Sequence, residues 1–134
     1  MTTLKSEQHL LTKPSMVVYD FLADLNNHKQ LMPEQVVDWK STTDTCTFTI
    51  KNTGTLSLSK GSMIVGSMIE LKPSGKVPFD FKLLWKINET SNGGCIAEVV
   101  LEADLNPMLK MMAGKALQNF ISMQADKLKT IMNS

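Results

Sequence analysis

The feature that most constrains the fold is a change in the spacing of apolar residues along the chain. From Val36 to about Asp104, apolar and polar residues alternate in segments separated by short turns, which is typical of strands with one buried face. From Asn106 onward, apolar residues recur at spacings of three and four, which predicts one long helix over residues 106–133. Asn106 is a favourable N-cap, and Pro107 suits the first turn. At about 1.5 Å per residue this helix would span roughly 40 Å, enough to cross the whole sheet.

Three further elements are predicted before the alternating region. Residues 4–12 have the mixed pattern of a strand, and Pro14 opens a short helix whose apolar residues follow at helical spacing. Residues 28–32 predict a second short helix. Six strands follow, with hairpin turns expected at Asn52-Thr53-Gly54 and Asn92-Gly93-Gly94. Short connections between consecutive strands make the sheet antiparallel, so the sequence predicts an α+β fold with seven strands.

The long helix is the main element able to cover the apolar face of this sheet. Because sheets twist, the sheet must curl around the helix, and a curled sheet and a straight helix do not fit together everywhere. The sequence therefore predicts a cavity between them. The alternative is an ordinary filled core, since protein interiors are densely packed by default.

Length and charge exclude several classes of protein. The 134 residues fit one domain, residues 1–134. The net charge of +1 is too weak to attract a phosphate backbone, so nucleic acid is not an expected partner. No signal peptide and no membrane span are visible, which favours a cytoplasmic protein without stable membrane insertion. Cys46 and Cys95 lie in strand-like segments without metal-site spacing, and we expect both to be buried, reduced thiols.

Four segments carry a family resemblance, and together they cover nearly the whole chain. They are VYDFLADLNN at residues 18–27, the stretch from LMP at residue 31 to Trp39, PFDFKL at residues 78–83, and LNPMLKMM at residues 105–112. With the order of elements, they resemble the START and Bet v 1-like superfamily, also called the polyketide cyclase and lipid-transport superfamily, and its small single-domain bacterial members in particular. The resemblance implies a helix-grip fold, in which a curved seven-stranded antiparallel sheet wraps around a long C-terminal helix and two short helices lie between strands one and two.

The resemblance also implies a style of ligand. Members of that superfamily bind lipids, sterols, quinones, polyketides and similar hydrophobic molecules, while some are cyclases and some bind protein partners. Fold alone does not decide among these activities. Transferred to this chain, the resemblance implies a small hydrophobic ligand held between the sheet and the C-terminal helix.

The candidate ligand-binding residues are large or small apolar side chains expected on the inner faces of the strands and the long helix. Ala116 and Ala113 would leave space opposite sheet aromatics. Six methionines are candidates for an adaptable wall or entrance: Met32, Met63, Met68, Met108, Met111 and Met112. Polar groups able to orient a ligand are scarce, Gln124 and Tyr19 being the candidates. The predicted contact residues are Trp39, Phe48, Leu56, Ile69, Phe79, Phe81, Trp85, Met112, Ala116 and Phe120.

Catalysis has little support in the sequence. His9 and His28 are the histidines of the chain, and both are interpreted as surface residues. No catalytic triad order, zinc-protease motif, phosphate loop or dinucleotide fingerprint occurs, so no catalytic residue, cofactor or metal is predicted.

Three hypotheses about function remain, and the oligomeric state stays open. The first is a carrier of a small hydrophobic ligand. The second is a cyclase-like enzyme, which a buried titratable group with a perturbed pKa would favour. A protein-binding module would be favoured by a filled core with an exposed apolar patch.

Overall fold

The computed structural model describes residues 2–51 and 53–134, and these form one antiparallel sheet and two α-helices. A 3₁₀ helix, Leu25–Leu31, follows the first α-helix. Asn52, in one predicted hairpin turn, lies outside the described residues. The α-helices are α1 (Ser15–Ala23) and α2 (Pro107–Met132), and the strands are β1 (Thr2–Lys5), β2 (His9–Leu11), β3 (Val36–Ser41), β4 (Thr45–Ile50), β5 (Gly54–Ile64), β6 (Met68–Pro73), β7 (Phe81–Glu89) and β8 (Cys95–Ala103).

The sheet has seven strand positions, in the order β1-β8-β7-β6-β5-β4-β3. The single strand predicted over residues 4–12 is two strands, β1 and β2, which both pair with β8. Lys5 pairs with Val100 and His9 pairs with Ala97, so the chain advances four residues from β1 to β2 while β8 advances three. A local break of this kind is a bulge, and Ser6 fills it by accepting from the Val99 N–H through Oγ at 3.0 Å.

The short helices differ slightly from their predicted bounds. α1 ends at Ala23, and the carboxylate of the next residue, Asp24, accepts a hydrogen bond from Asn26 N at 3.0 Å and so caps the 3₁₀ helix. This second helix therefore begins at Leu25 rather than at residue 28. Three residues per 3₁₀ turn place Leu25, His28 and Leu31 on one buried face.

α2 begins and ends close to the predicted bounds. Asn106 Oδ1 accepts from Leu109 N at 2.8 Å, which confirms the predicted N-cap. The helix packs against β8, β1, β2 and the 3₁₀ helix. Its buried residues are Ala113, Leu117, Phe120, Ile121, Gln124, Ala125, Leu128 and Met132. Within the described part of the chain, no helix has the length and apolar character needed to cross a bilayer.

Candidate functional site

The structure brings most of the predicted contact residues into one interior between the sheet and α2. Trp39 and Ala116 are half-buried, whereas Met112 is 66% exposed. The buried members of the set are Phe48, Leu56, Ile69, Phe79, Phe81, Trp85 and Phe120. Whether any of the ten residues contacts a ligand stays a prediction.

An aromatic stack connects the sheet to α2. The Trp39 and Phe48 ring centroids lie 5.3 Å apart with an 18° angle between the rings, and Phe48 and Phe120 are stacked at 5.5 Å and 29°. Stacking of this kind contributes roughly 0.5–1.5 kcal/mol per pair beyond the apolar area that it buries. Trp39 Nε1 donates to Ser41 Oγ at 3.0 Å, so the indole is held at both its face and its edge.

Two predicted residues lie elsewhere than expected. The prediction that Met112 points inward is wrong, because Ala113, one residue later, is the buried residue. One residue turns an α-helix by about 100°. Phe79 precedes β7 rather than belonging to it, yet it is buried because its ring packs on Phe81, with centroids 5.6 Å apart. The apolar spacing identified the helix but left its inner stripe uncertain by one residue.

Gln124 is the most unusual residue of the interior. It is 0% exposed, and neither its Oε1 nor its Nε2 has a hydrogen-bond partner within the described residues. The indole Nε1 of Trp85, also 0% exposed, likewise has no partner there. Leaving a buried polar group without a hydrogen bond costs about 1–3 kcal/mol, so such groups are rare in a core that serves only packing.

The segment of α2 that contains Gln124 crosses the stretch of sheet to which Trp85 belongs. Gln118 Nε2 donates to Lys5 O at 3.0 Å, and Asp126 Oδ1 lies 2.8 Å from His9 Nε2, so α2 passes over β1 and β2 between Lys5 and His9. These two residues pair with Val100 and Ala97 of β8. Trp85 pairs with Val99, which lies within that interval.

His28 belongs to the same interior. Its Nε2 lies 2.8 Å from the Leu22 carbonyl, which can only accept, so Nε2 carries the proton. Its ring meets Trp85 edge-on, with centroids 6.4 Å apart. Burial lowers the pKa of His28 to about 4, although the Leu22 hydrogen bond and the Asp24 charge act in the opposite direction. The imidazole is therefore neutral near pH 7.

The prediction that both histidines lie on the surface is wrong. His28 shares the buried face of the 3₁₀ helix with Leu25 and Leu31, a spacing of three that the sequence displays. His9 alternates with exposed Leu10 in β2 and is largely covered, while its ring pairs with Asp126 of α2. A strand segment of three residues is too short for its period to reveal which face is buried.

Both cysteines are buried and free, as expected from their strand positions. Burial raises the pKa of Cys46 to about 12. Burial also raises the pKa of Cys95, and the nearby Glu89 charge adds to this shift. Neither thiol is suited to nucleophilic chemistry in the folded protein.

Four surface pockets of the structure are lined by residues outside α2. Their volumes are about 230 to 380 Å³. The pocket of about 330 Å³ beside β3 includes Trp39, which thus lies at the rim of the interior. A cavity between the sheet and α2 remains a prediction that requires some movement of α2.

The comparisons with known proteins agree with this architecture at the level of fold. No protein-family model and no curated protein sequence matches the chain. A START superfamily protein from Mycobacterium smegmatis matches with a TM-score of 0.68 and 13% identity, covering 97% of this chain and 96% of that chain. XoxI from Bacillus cereus matches with a TM-score of 0.76 and 10% identity, covering 98% and 96% respectively. The chain has the START/Bet v 1-like helix-grip fold.

A third solved structure with the helix-grip fold is larger. The di-domain ARO/CYC BexL, from the BE-7585A biosynthetic pathway, matches with a TM-score of 0.71 and 13% identity over 97% of this chain, but over only 46% of its own length. Identities this low relate the folds and carry no activity from one protein to another. The fold expected from the sequence resemblance is confirmed.

Proposed function

We propose that this protein binds a small hydrophobic ligand in the interior between the sheet and α2. The observation that carries the proposal is the Gln124 carboxamide, which is fully buried and has no hydrogen-bond partner among the described residues. The buried indole N–H of Trp85 also has no partner among them. Small-molecule sites are mostly apolar with a few placed polar groups, and this interior has that composition. A plain core would gain stability by replacing Gln124 with an apolar residue.

The attachment of α2 supports a route for the ligand. Near its C-terminal end, Asn133 bonds Thr12 and Leu10, and Asp126 pairs with His9. Its N-terminal half contributes Ala113 and Leu117 to the core. We infer that this half lifts from the sheet to admit the ligand, while the C-terminal half stays in place.

Binding is favoured over catalysis by the way His28 is held. A buried histidine with a lowered pKa meets the requirement set for a cyclase-like enzyme. Its Nε2–H, however, donates to the Leu22 carbonyl and ties the 3₁₀ helix to α1. A ring committed to a backbone contact acts as a support for Trp85, so we assign His28 a structural role.

The two tryptophans make the proposal testable in one chain. In a Trp39→Phe variant, the remaining Trp85 reports on the interior; in a Trp85→Phe variant, the remaining Trp39 reports on its rim. Titration with dodecyl-chain lipids should change Trp85 emission with a 1:1 end point and affect Trp39 much less. Native mass spectrometry of protein purified from its own host should show a bound species of low molecular weight.

Two results together would reject the proposal. One is an unliganded mass for protein from its own host, and the other is a Trp85 emission that no dodecyl probe changes. A response of Trp39 alone would place the ligand in the surface pocket beside β3 instead.

An exposed apolar surface favours a second candidate function, contact with another protein. Met108, Met111 and Met112, which we call the methionine face, are 71%, 86% and 66% exposed on the first turns of α2. If a second copy of this chain covers the face, replacing all three by Gln should convert a dimer into a monomer in sedimentation velocity. If the native protein sediments as a monomer, this form of the candidate is wrong.

A further inference from the structure

The hydrogen-bonding groups at Gln124 define what a ligand must offer. A glutamine carboxamide supplies one acceptor oxygen and two N–H donors, and an indole supplies one further donor. Gln124 Oε1, Gln124 Nε2 and Trp85 Nε1 have no partner among the described residues; Thr53 Oγ1, at a turn, is the other such atom. A complementary ligand group must therefore donate one hydrogen bond and accept at least one. A hydroxyl has one donor and two acceptor lone pairs, and a primary amide also fulfils both roles.

The charges around this interior restrict the ligand further. The chain contains no arginine, the residue best suited to hold a carboxylate or phosphate in two-point contact. Its buried polar residues, within the part of the chain that the structure describes, are Ser6, His9, Ser15, His28 and Gln124, and no lysine is among them. His28 is neutral near pH 7, and His9 already faces Asp126. Among these buried residues an anion would find no positive charge, and its desolvation would oppose binding.

We propose that the ligand buries an uncharged hydroxyl or amide end group against Gln124, with its apolar chain running toward the N-terminal half of α2. This inference rests on the proposed function and adds the chemical class of the ligand. Gln124 is then the residue that selects a neutral polar end over both an anion and a plain hydrocarbon. The chain direction follows from the attachment of α2, because the C-terminal half is tied to the sheet by Asp126 and Asn133.

Matched probes of one chain length test the inference. Dodecan-1-ol, dodecanoate and dodecane differ in the end group, and their binding to the intact protein at pH 7.5 can be compared through Trp85 emission. We expect the alcohol to bind about 10-fold more tightly than the other two, the effect of roughly one net hydrogen bond. In Gln124→Leu this preference over dodecane should disappear.

The stability of the unliganded variant gives a second, independent readout. Because Gln124→Leu removes an unsatisfied buried amide, its melting temperature without ligand should rise. Gln124→Met, with a straight side chain of similar length, serves if the leucine variant folds poorly. Gln118→Leu is the matched control: Gln118 donates to Lys5 O and Ser122 Oγ, so this change should lower the melting temperature slightly and leave the selectivity intact.

The outcomes separate the inference from the proposed function. Selectivity for the alcohol that is lost in Gln124→Leu, together with a raised melting temperature, supports the inference. Equal affinity for all three probes, or preference for dodecanoate, overturns it while leaving hydrophobic binding in place. A lowered melting temperature with unchanged selectivity also overturns it, because Gln124 would then serve packing. Absence of binding by every probe overturns the inference, and together with an unliganded mass for protein from its own host it also rejects the proposed function.

Discussion

The two halves of α2 are built on the same helix but are attached to the rest of the protein in different ways. Residues 120–132 contribute six buried side chains to the core, whereas residues 107–119 contribute Ala113 and Leu117. The C-terminal end is further tied by Asn133, which accepts a hydrogen bond from the Thr12 N–H and donates one to the Leu10 carbonyl. Lys127 also donates to the Met32 carbonyl. At the other end, the methionine face points into solvent.

This difference indicates which part of the fold moves. Segments with few buried contacts open at low free-energy cost, whereas densely packed segments open only with global unfolding. Gln124, whose buried amide has no partner among the described residues, belongs to the attached half, so a ligand that enters under residues 107–119 would have to pass along the helix to reach it. We therefore call residues 120–132 of α2 the anchor, or anchored half, and residues 107–119 the cover.

Acidification should produce the largest loss of stability, and it should act on the 3₁₀ helix that packs against α2. His28 lies on the 3₁₀ helix that packs against α2, and its pKa falls from 6.5 to about 4 on folding. Between these two pH values the unfolded chain binds more protons, so the stability present above pH 6.5 is lost as the pH falls toward 4. The loss amounts to about 3 kcal/mol, from a shift of roughly 1.4 kcal/mol per pKa unit. Urea unfolding as a function of pH measures it.

His28→Gln is the matched variant for this prediction. Glutamine can still donate to the Leu22 carbonyl but does not titrate, so the loss of stability between pH 6.5 and 4 should be much smaller. His9→Gln is the control at the other histidine. If His28→Gln shows the same pH dependence as the native chain, His28 is not the group responsible.

The next largest effect on stability should come from placing a large side chain in the core beneath each half of α2. Ala113 and Ala125 are equally buried on the inner side of α2. Ala125→Phe should lower the unfolding free energy by about 2–3 kcal/mol because the anchored half cannot yield, whereas Ala113→Phe should cost about 1 kcal/mol as its half shifts outward. Ala113→Phe should also block the apolar end of the site and abolish dodecan-1-ol binding. Equal destabilisation by both substitutions would contradict the distinction between anchor and cover.

Removing the hydrogen bonds of Asn133 should lower the unfolding free energy by a moderate amount. Asn133 Oδ1 accepts from the Thr12 N–H at 2.8 Å and its Nδ2 donates to Leu10 O at 3.2 Å, so Asn133→Ala should cost about 1 kcal/mol. Asn119→Ala, at an exposed position of the same helix, should change stability by less than about 0.5 kcal/mol. Thermal unfolding of both variants gives the comparison, and a larger loss at Asn119 would refute it.

The smallest change in stability is expected from the methionine face. Replacing Met108, Met111 and Met112 by Gln preserves helix propensity and length, so the unfolding free energy should change by less than about 1 kcal/mol in total. The rate of dodecan-1-ol association, measured by stopped-flow fluorescence, should fall several-fold because the apolar approach is lost. Met123→Gln, on the anchored half, is the control and should leave that rate unchanged.

The sequence was sufficient for the architecture because each element has a strong local signal. The change of spacing after Asp104, the Asn106 cap and the glycine turn before Cys95 correspond to α2 and to the β7–β8 hairpin. The bulge at Ser6 was missed because a one-residue break within a short strand leaves no distinct pattern.

The candidate site was less accessible to sequence reasoning than the fold. Apolar spacing correctly placed Gln124 on the inner stripe of α2 but could not reveal that its amide lacks a partner, since that depends on side chains from distant strands. Met112 was assigned to the wrong side because a 3.6-residue period leaves neighbouring positions ambiguous when both are apolar. The burial of His28 was missed because the second helix was predicted to begin at residue 28, so the spacing of three from Leu25 crossed the predicted boundary.

Hydrogen exchange along α2, with and without dodecan-1-ol, measures the division of this helix most directly. Amides of residues 108–119 should exchange at least about 10-fold faster than those of residues 120–132 in the free protein, and ligand should slow exchange in the first group far more than in the second. Uniform protection along the whole helix that ligand does not alter would contradict an anchored half and a movable cover.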